Sequence, residues 1–138
     1  MSDNGLVSVQ SRVSARETLD RLLAALAERK LAVFARVDHA AGAASVGLSL
    51  RPTEVVIFGN PKGGTALMQD RQSSGIDLPL KALVWEDADG KAWLTYNDPT
   101  WIAKRHGLGA VSESAVKAMA GLLGTIAQEA TKNEISSL

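Results

Sequence analysis

Apolar residues along this chain follow two periods that alternate from segment to segment. Leu6 to Gln10 alternates apolar and polar, as a short strand does. Ser14 and Glu17 then have the spacing of a capping box, and Leu19, Leu22, Leu23 and Leu26 follow at i, i+3, i+4 and i+7. That pattern predicts an amphipathic helix with one buried face. Leu31 to Asp38 reads as a strand with Leu31, Val33, Ala35 and Val37 on one side. The alanine-rich stretch from His39 to Ser45, entered through Asp38 as N-cap, predicts a short helix. Glu54 to Phe58 has Val55, Val56, Ile57 and Phe58 in succession, which predicts an interior strand covered on both faces.

Asn60 as N-cap and Pro61 at the first helical position open a further helix, though Gly63 and Gly64 weaken its first turn. Ser73 to Asp77 reads as a loop. Leu80 to Glu86 and Lys91 to Tyr96 form a hairpin across Asp87, Ala88, Asp89 and Gly90, with the facing of Trp85 and Trp93 left open by the sequence. Asp98 and Pro99 start a short helix that Gly107 ends. From about 112 to 132 a long helix carries the stripe Val116, Met119, Ala120, Leu123, Ile126, Ala127 and Ala130. Gly121 and Gly124 inside it each cost about 1 kcal/mol relative to Ala, which suggests a close backbone approach or two tolerated surface glycines. These elements predict a single α+β domain spanning 1–138: two layers, one mostly antiparallel sheet with helices on one face, with a split βαβ-like start.

Composition narrows the function classes. Fifteen basic residues balance fifteen acidic ones, so a polyanion finds no excess of cations and nucleic-acid binding is not expected. The absence of cysteine excludes disulfides, thiolate metal sites and Cys nucleophiles. The apolar runs are short beside the ~20 residues of a membrane span, and Met1 to Gly5 has neither the basic nor the apolar part of an export signal. A cytoplasmic protein is expected.

Three segments carry a family resemblance: Asp38 and His39 with Gly47 downstream; Phe58 to Pro61 with Gly64 to Met68; and Asp77 to Lys81 continuing to Tyr96, Asn97, Asp98 and Pro99. Through them the stretch from Phe34 to Gly107 resembles the bacterial and archaeal family known as domain of unknown function 302. The resemblance implies a compact two-layer domain that associates as a homodimer, with no assigned reaction, cofactor or ligand, and makes the C-terminal helix an extension.

The candidate ligand-binding residues are His39, Asn60, Lys62, Gly63, Gly64, Thr65, Tyr96 and Asp98. The loop from Gly59 to Thr65 leaves the end of a strand and enters a helix, an arrangement whose free amides and helix dipole suit a small anion. It is not a Walker motif, because Lys62 precedes both glycines. Tyr96, Asn97 and Asp98 offer a phenol, an amide and a carboxylate at a strand end, sufficient for acid–base work beside a pocket; the plain alternative is that Asp98 caps its helix. His39 and His106 have no second ligand at i+3 or i+4, so no metal site and no cofactor are expected. Two functions follow from these residues. One is a non-enzymatic homodimeric module binding a small molecule or a partner; the other is an enzyme on a small anionic substrate, using the Asn60–Thr65 loop with His39, Tyr96 or Asp98.

Overall fold

The computed structural model describes residues 4–132. Five strands and five helices follow in the order β1 Leu6–Gln10, α1 Ala15–Glu28, β2 Ala32–Asp38, α2 His39–Ser45, β3 Thr53–Gly59, α3 Pro61–Asp70, β4 Leu80–Glu86, β5 Ala92–Asn97, α4 Pro99–His106 and α5 Glu113–Thr131. The segment expected to be a loop is instead a 3-10 helix, Gln72–Asp77, and a second lies at Ala110–Ser112. The sheet order is β1-β5-β4-β3-β2, with every neighbouring pair antiparallel. β1 and β2 therefore run the same way at opposite edges, and three strands split the β1–α1–β2 unit.

Local chemistry sets the helix ends. The Ser14 hydroxyl accepts from the Glu17 amide, Asp38 from Ala41, Asn60 from Lys62 and Asp98 from Thr100, each at 2.9–3.0 Å. Gly107 closes α4 at φ +66, in the left-handed region that glycine enters without a Cβ penalty. In the β4–β5 hairpin the Asp87 carboxylate accepts from the amides of Asp89 and Lys91 and from the Trp93 indole. Trp85 stands directly opposite Trp93 with ring centroids 6.0 Å apart, so the two share one face.

The core lies between one sheet face and two helices. Val56, Phe58, Ala82, Val84 and Leu94 meet Leu19, Leu22 and Leu26 of α1 and Val116, Met119, Leu123 and Ile126 of α5. Leu23, expected on the same stripe, sits partly buried at its margin. Among the described residues, no atom beyond the helix's own backbone and the adjoining residues lies within 4 Å of a Cβ placed on Gly121 or Gly124, so no other described backbone approaches α5 there.

Two sequence expectations need correction. The sequence pattern puts Leu31, Val33, Ala35 and Val37 on one side of the strand; in the structure all seven residues of β2, at the sheet edge, are exposed. A bulge between Val33 and Ala35 also moves Val33 opposite Phe58 while Ala35 and Val37 stand opposite Ile57 and Val55, so the three do not share a side. β3 is interior, as its apolar run suggests, but the helices that build the core cover only the Val56 and Phe58 side.

A two-toothed ion pair ties α1 to α5: Arg29 donates to both Glu129 oxygens at 2.9 and 2.6 Å, and Arg21 Nε donates to the Glu129 carbonyl at 3.0 Å. The Arg29 hydrogen bond, together with the positive charges of Arg29 and Arg21, holds the Glu129 carboxyl below its ordinary value of 4.5 against the opposing effect of burial. A depressed folded-state value means that the pair stabilises the fold at neutral pH and that this contribution fades as acid protonates the folded carboxylate. The difference in Tm between wild type and Glu129→Gln is thus expected to be widest near pH 7 and to close as the pH falls below 4.5, which thermal melts at stepped pH would measure.

Candidate functional site

β3 and β5 run in the same direction, so Gly59 and Asn97 end at the same side of the sheet. The chain leaves β3 through Gly59 and turns into α3 on the Asn60 cap. Asn60 engages the turn's amides: its side chain accepts from Lys62 at 2.9 Å and its carbonyl from Gly63 and Gly64 at 3.1 and 3.3 Å. The donors that would cradle an anion are thus already held by the helix start.

What the loop does frame is a pair of apolar hollows. One, about 240 Å³, lies among Phe34, Pro61, Gly64, Met68, Leu78 and Pro79. The other, about 260 Å³, lies among Leu31, Phe58, Lys62, Gly63, Ala115 and Leu122. Gly59, Asn60, Leu80 and Met119 border both. Each hollow thus has one of the paired glycines in its wall. A Cβ on Gly63 would come within 3.2 Å of the Met119 methyl, and one on Gly64 within 3.9 Å of Leu78. Phe34, unpaired at the β2 bulge and half exposed, lines the first hollow.

The candidate residues fall into separate places. Asn60, Gly64 and Thr65 line the first hollow; Asn60, Lys62 and Gly63 line the second. His39 opens α2 at the opposite end of the sheet, since Asp38 pairs with Glu54 at the start of β3 while Asn60 follows its end. Tyr96 is half-buried against the core on the helix side of β5, opposite Ala82 and Val7. Burial, and secondarily the charge of Asp98, raises its phenol above the ordinary value. Asp98 is spent on capping α4 at Thr100 and lies two strands from Asn60, about 10 Å away at normal strand spacing. His39, Tyr96 and Asp98 are absent from the walls of both hollows.

Sequence reading passed over a charged cluster behind the first hollow. The Asp77 carboxylate meets His106 Nε2 at 2.6 Å and Arg105 at 3.2 Å, and Arg105 also stands over the Trp101 ring. Nearby, Asp70 accepts from the Gly109 amide and the Ser112 hydroxyl, and those bonds hold its carboxyl below the usual range. The Asp77 contacts brace α4 against the 3-10 helix Gln72–Asp77, and the Asp70 contacts brace the α5 entrance against α3. Among the described residues no group of three or more His, Asp or Glu side chains could hold a metal, and no helix is long and apolar enough to cross a membrane.

The fold and the loop define a helix-backed antiparallel domain with two apolar hollows beside the β3–α3 turn, and a larger, more polar hollow of about 490 Å³ lies among Arg16, Asp20, Arg36, Asp38 and Glu54. The family model described as domain of unknown function DUF302 matches residues 7–126, and the chain belongs to that family. The match extends beyond 34–107 on both sides and takes in α1 and most of α5. A solved structure of an uncharacterized conserved DUF302 protein from Bacillus stearothermophilus has the same fold, with a TM-score of 0.81 over 91% of this chain and 98% of its own at 18% identity. Two curated relatives are named fluoride-specific ion channel FluC 1, from Brucella suis biovar 1 (strain 1330) and Brucella abortus biovar 1 (strain 9-941). Each is 54% identical over 128 residues, 93% of this chain. The chain spans about half of their length, 50% and 47% respectively.

Proposed function

We propose that this chain is a non-enzymatic, homodimeric partner-binding module and that its partner is a fluoride-conducting membrane protein. The observation that carries this reading is the relation to the FluC proteins, in which nearly the whole chain corresponds at 54% identity to about half of each relative. Two units joined in one chain meet at the high effective concentration set by their link, which favours a working contact between them. In this reading the remainder of those proteins conducts, and this domain acts on it from the cytoplasmic side, in keeping with a cysteine-free sequence. The site chemistry supports binding over catalysis: His39, Tyr96 and Asp98 stand apart from the hollows, and the loop amides are already engaged.

Reconstitution tests the reading. The part of Brucella suis FluC 1 outside the matched half is placed in liposomes, and fluoride efflux is followed with an electrode with and without this chain. Co-purification in detergent and a change in efflux of about fivefold, the lower range of site-to-site coupling, are expected. Absence of both removes the proposal. Fluoride alone is expected to leave the amide resonances of Lys62, Gly63 and Gly64 unmoved.

A further inference from the structure

We infer that the helix-free face of the sheet is where two copies of this chain meet, sheet against sheet; the inference rests on the homodimeric reading above and names its surface. Strand register places Val37, Val55 and Leu83 in one row across that face, continued by Thr95 and Ser8. Thr53, Trp85 and Trp93 form the next row, ending at Gln10, and Ala35, Ile57 and Lys81 flank the first on its other side. None of these side chains belongs to the buried core. A sheet covered on one side normally turns polar residues to water on the other, whereas the three middle strands here carry Val55, Ile57, Leu83, Trp85 and Trp93.

The indoles of Trp85 and Trp93 and the hydroxyls of Thr95 and Ser8 on this face are already provided for. The Trp85 indole donates to Thr95 Oγ1 at 2.9 Å, Thr95 shares a 2.8 Å hydroxyl contact with Ser8, and the Trp93 indole donates to Asp87 at 2.8 Å. Covering the face therefore strands none of these groups, and the penalty for burying unpaired donors does not arise. The stacked indoles present carbon, in the residue type most often found at interface hot spots.

A second copy is the occupant that fits. Lys81 is the one charged side chain in the three rows, and Asp87, bound to the Trp93 indole at their border, carries the opposite charge, so the face has no net charge with which to repel its own duplicate. Two sheets of identical twist stack in alignment, whereas one helix covers only a strip of such a surface. Five strands about 4.8 Å apart and about 20 Å long give a footprint of about 500 Å² per copy. Two copies then bury about 1,000 Å² even as flat sheets, which meets the lower limit for a specific interface.

Sedimentation equilibrium of the full chain at micromolar concentration provides the test. A dimer is expected, with Leu83→Glu weakening it about 30-fold or more while the circular dichroism spectrum stays native. Val111→Glu, at an exposed position off the sheet, is expected to leave association unchanged. If Leu83→Glu does not fold, Val37→Glu on the exposed edge strand gives the same reading without touching the core. A dimer that survives both substitutions overturns this interface and leaves the homodimeric reading standing. A wild-type chain that is monomeric throughout removes both. A chain that is monomeric alone yet pairs with the channel part through Leu83 assigns the face to the channel and overturns the inference.

Discussion

Replacement of Phe58 by alanine is expected to destabilise the domain by about 3–5 kcal/mol, the range for truncating a buried aromatic. Phe58 is wholly buried, stands between Val33 and Leu80 in the sheet, and also walls the second hollow beside the Gly63 turn. Its removal takes away transfer energy and merges the vacated space with a hollow that is already there, so the surroundings have little to collapse onto. Urea unfolding should show a lower midpoint at unchanged slope, because the surface exposed on unfolding stays nearly the same. A loss below about 1 kcal/mol would mean that Phe58 does not face the core and that β3 pairs in a different register.

The second large effect is expected at Gly5, just before β1. Its φ is +82, and a Cβ added there would overlap the Trp101 ring. The Gly5 carbonyl accepts from the Asp98 amide at 2.8 Å, so the residue pins the β1 entrance to the α4 cap. Gly5→Ala combines the left-handed penalty of about 1–2 kcal/mol with a displaced indole, and a loss of about 2 kcal/mol or more is expected. Gly90→Ala provides the comparison: φ is +79 there but, among the described residues, nothing beyond its chain neighbours lies within 4 Å of the added carbon, so only the conformational part should appear. Equal losses in the two variants would contradict the Trp101 contact.

What the sequence disclosed is what short-range chemistry decides. Ser14, Asp38, Asn60 and Asp98 could be read as caps because a cap joins a side chain to an amide two or three residues on. The α1 and α5 stripes were visible for the same reason, as was the hairpin at Asp87 to Gly90. The apolar run Val55 to Phe58 did announce two apolar faces, but periodicity does not say which of them the helices of the chain cover. Loop composition suggested an anion cradle at Gly63 and Gly64. Their amides prove to be held by Asn60, and their missing side chains instead leave room in two apolar hollows. The Asp77–His106 contact spans 29 residues and had no local sign at all. The resemblance was confined to 34–107 because it rested on short motifs, whereas α1 and α5 contribute only a stripe that many helices share.

The irregularity at Phe34 bears on how such a domain keeps from polymerising. A seven-residue strand with one bare margin offers incoming chains a ladder of hydrogen-bonding groups to copy, the usual seed of fibres. The extra residue throws that ladder out of step midway, so a stray strand finds at most a few matched rungs on either side of the offset. Growth along the sheet edge is thereby blunted, and crowding many copies together carries less danger of runaway cross-β association.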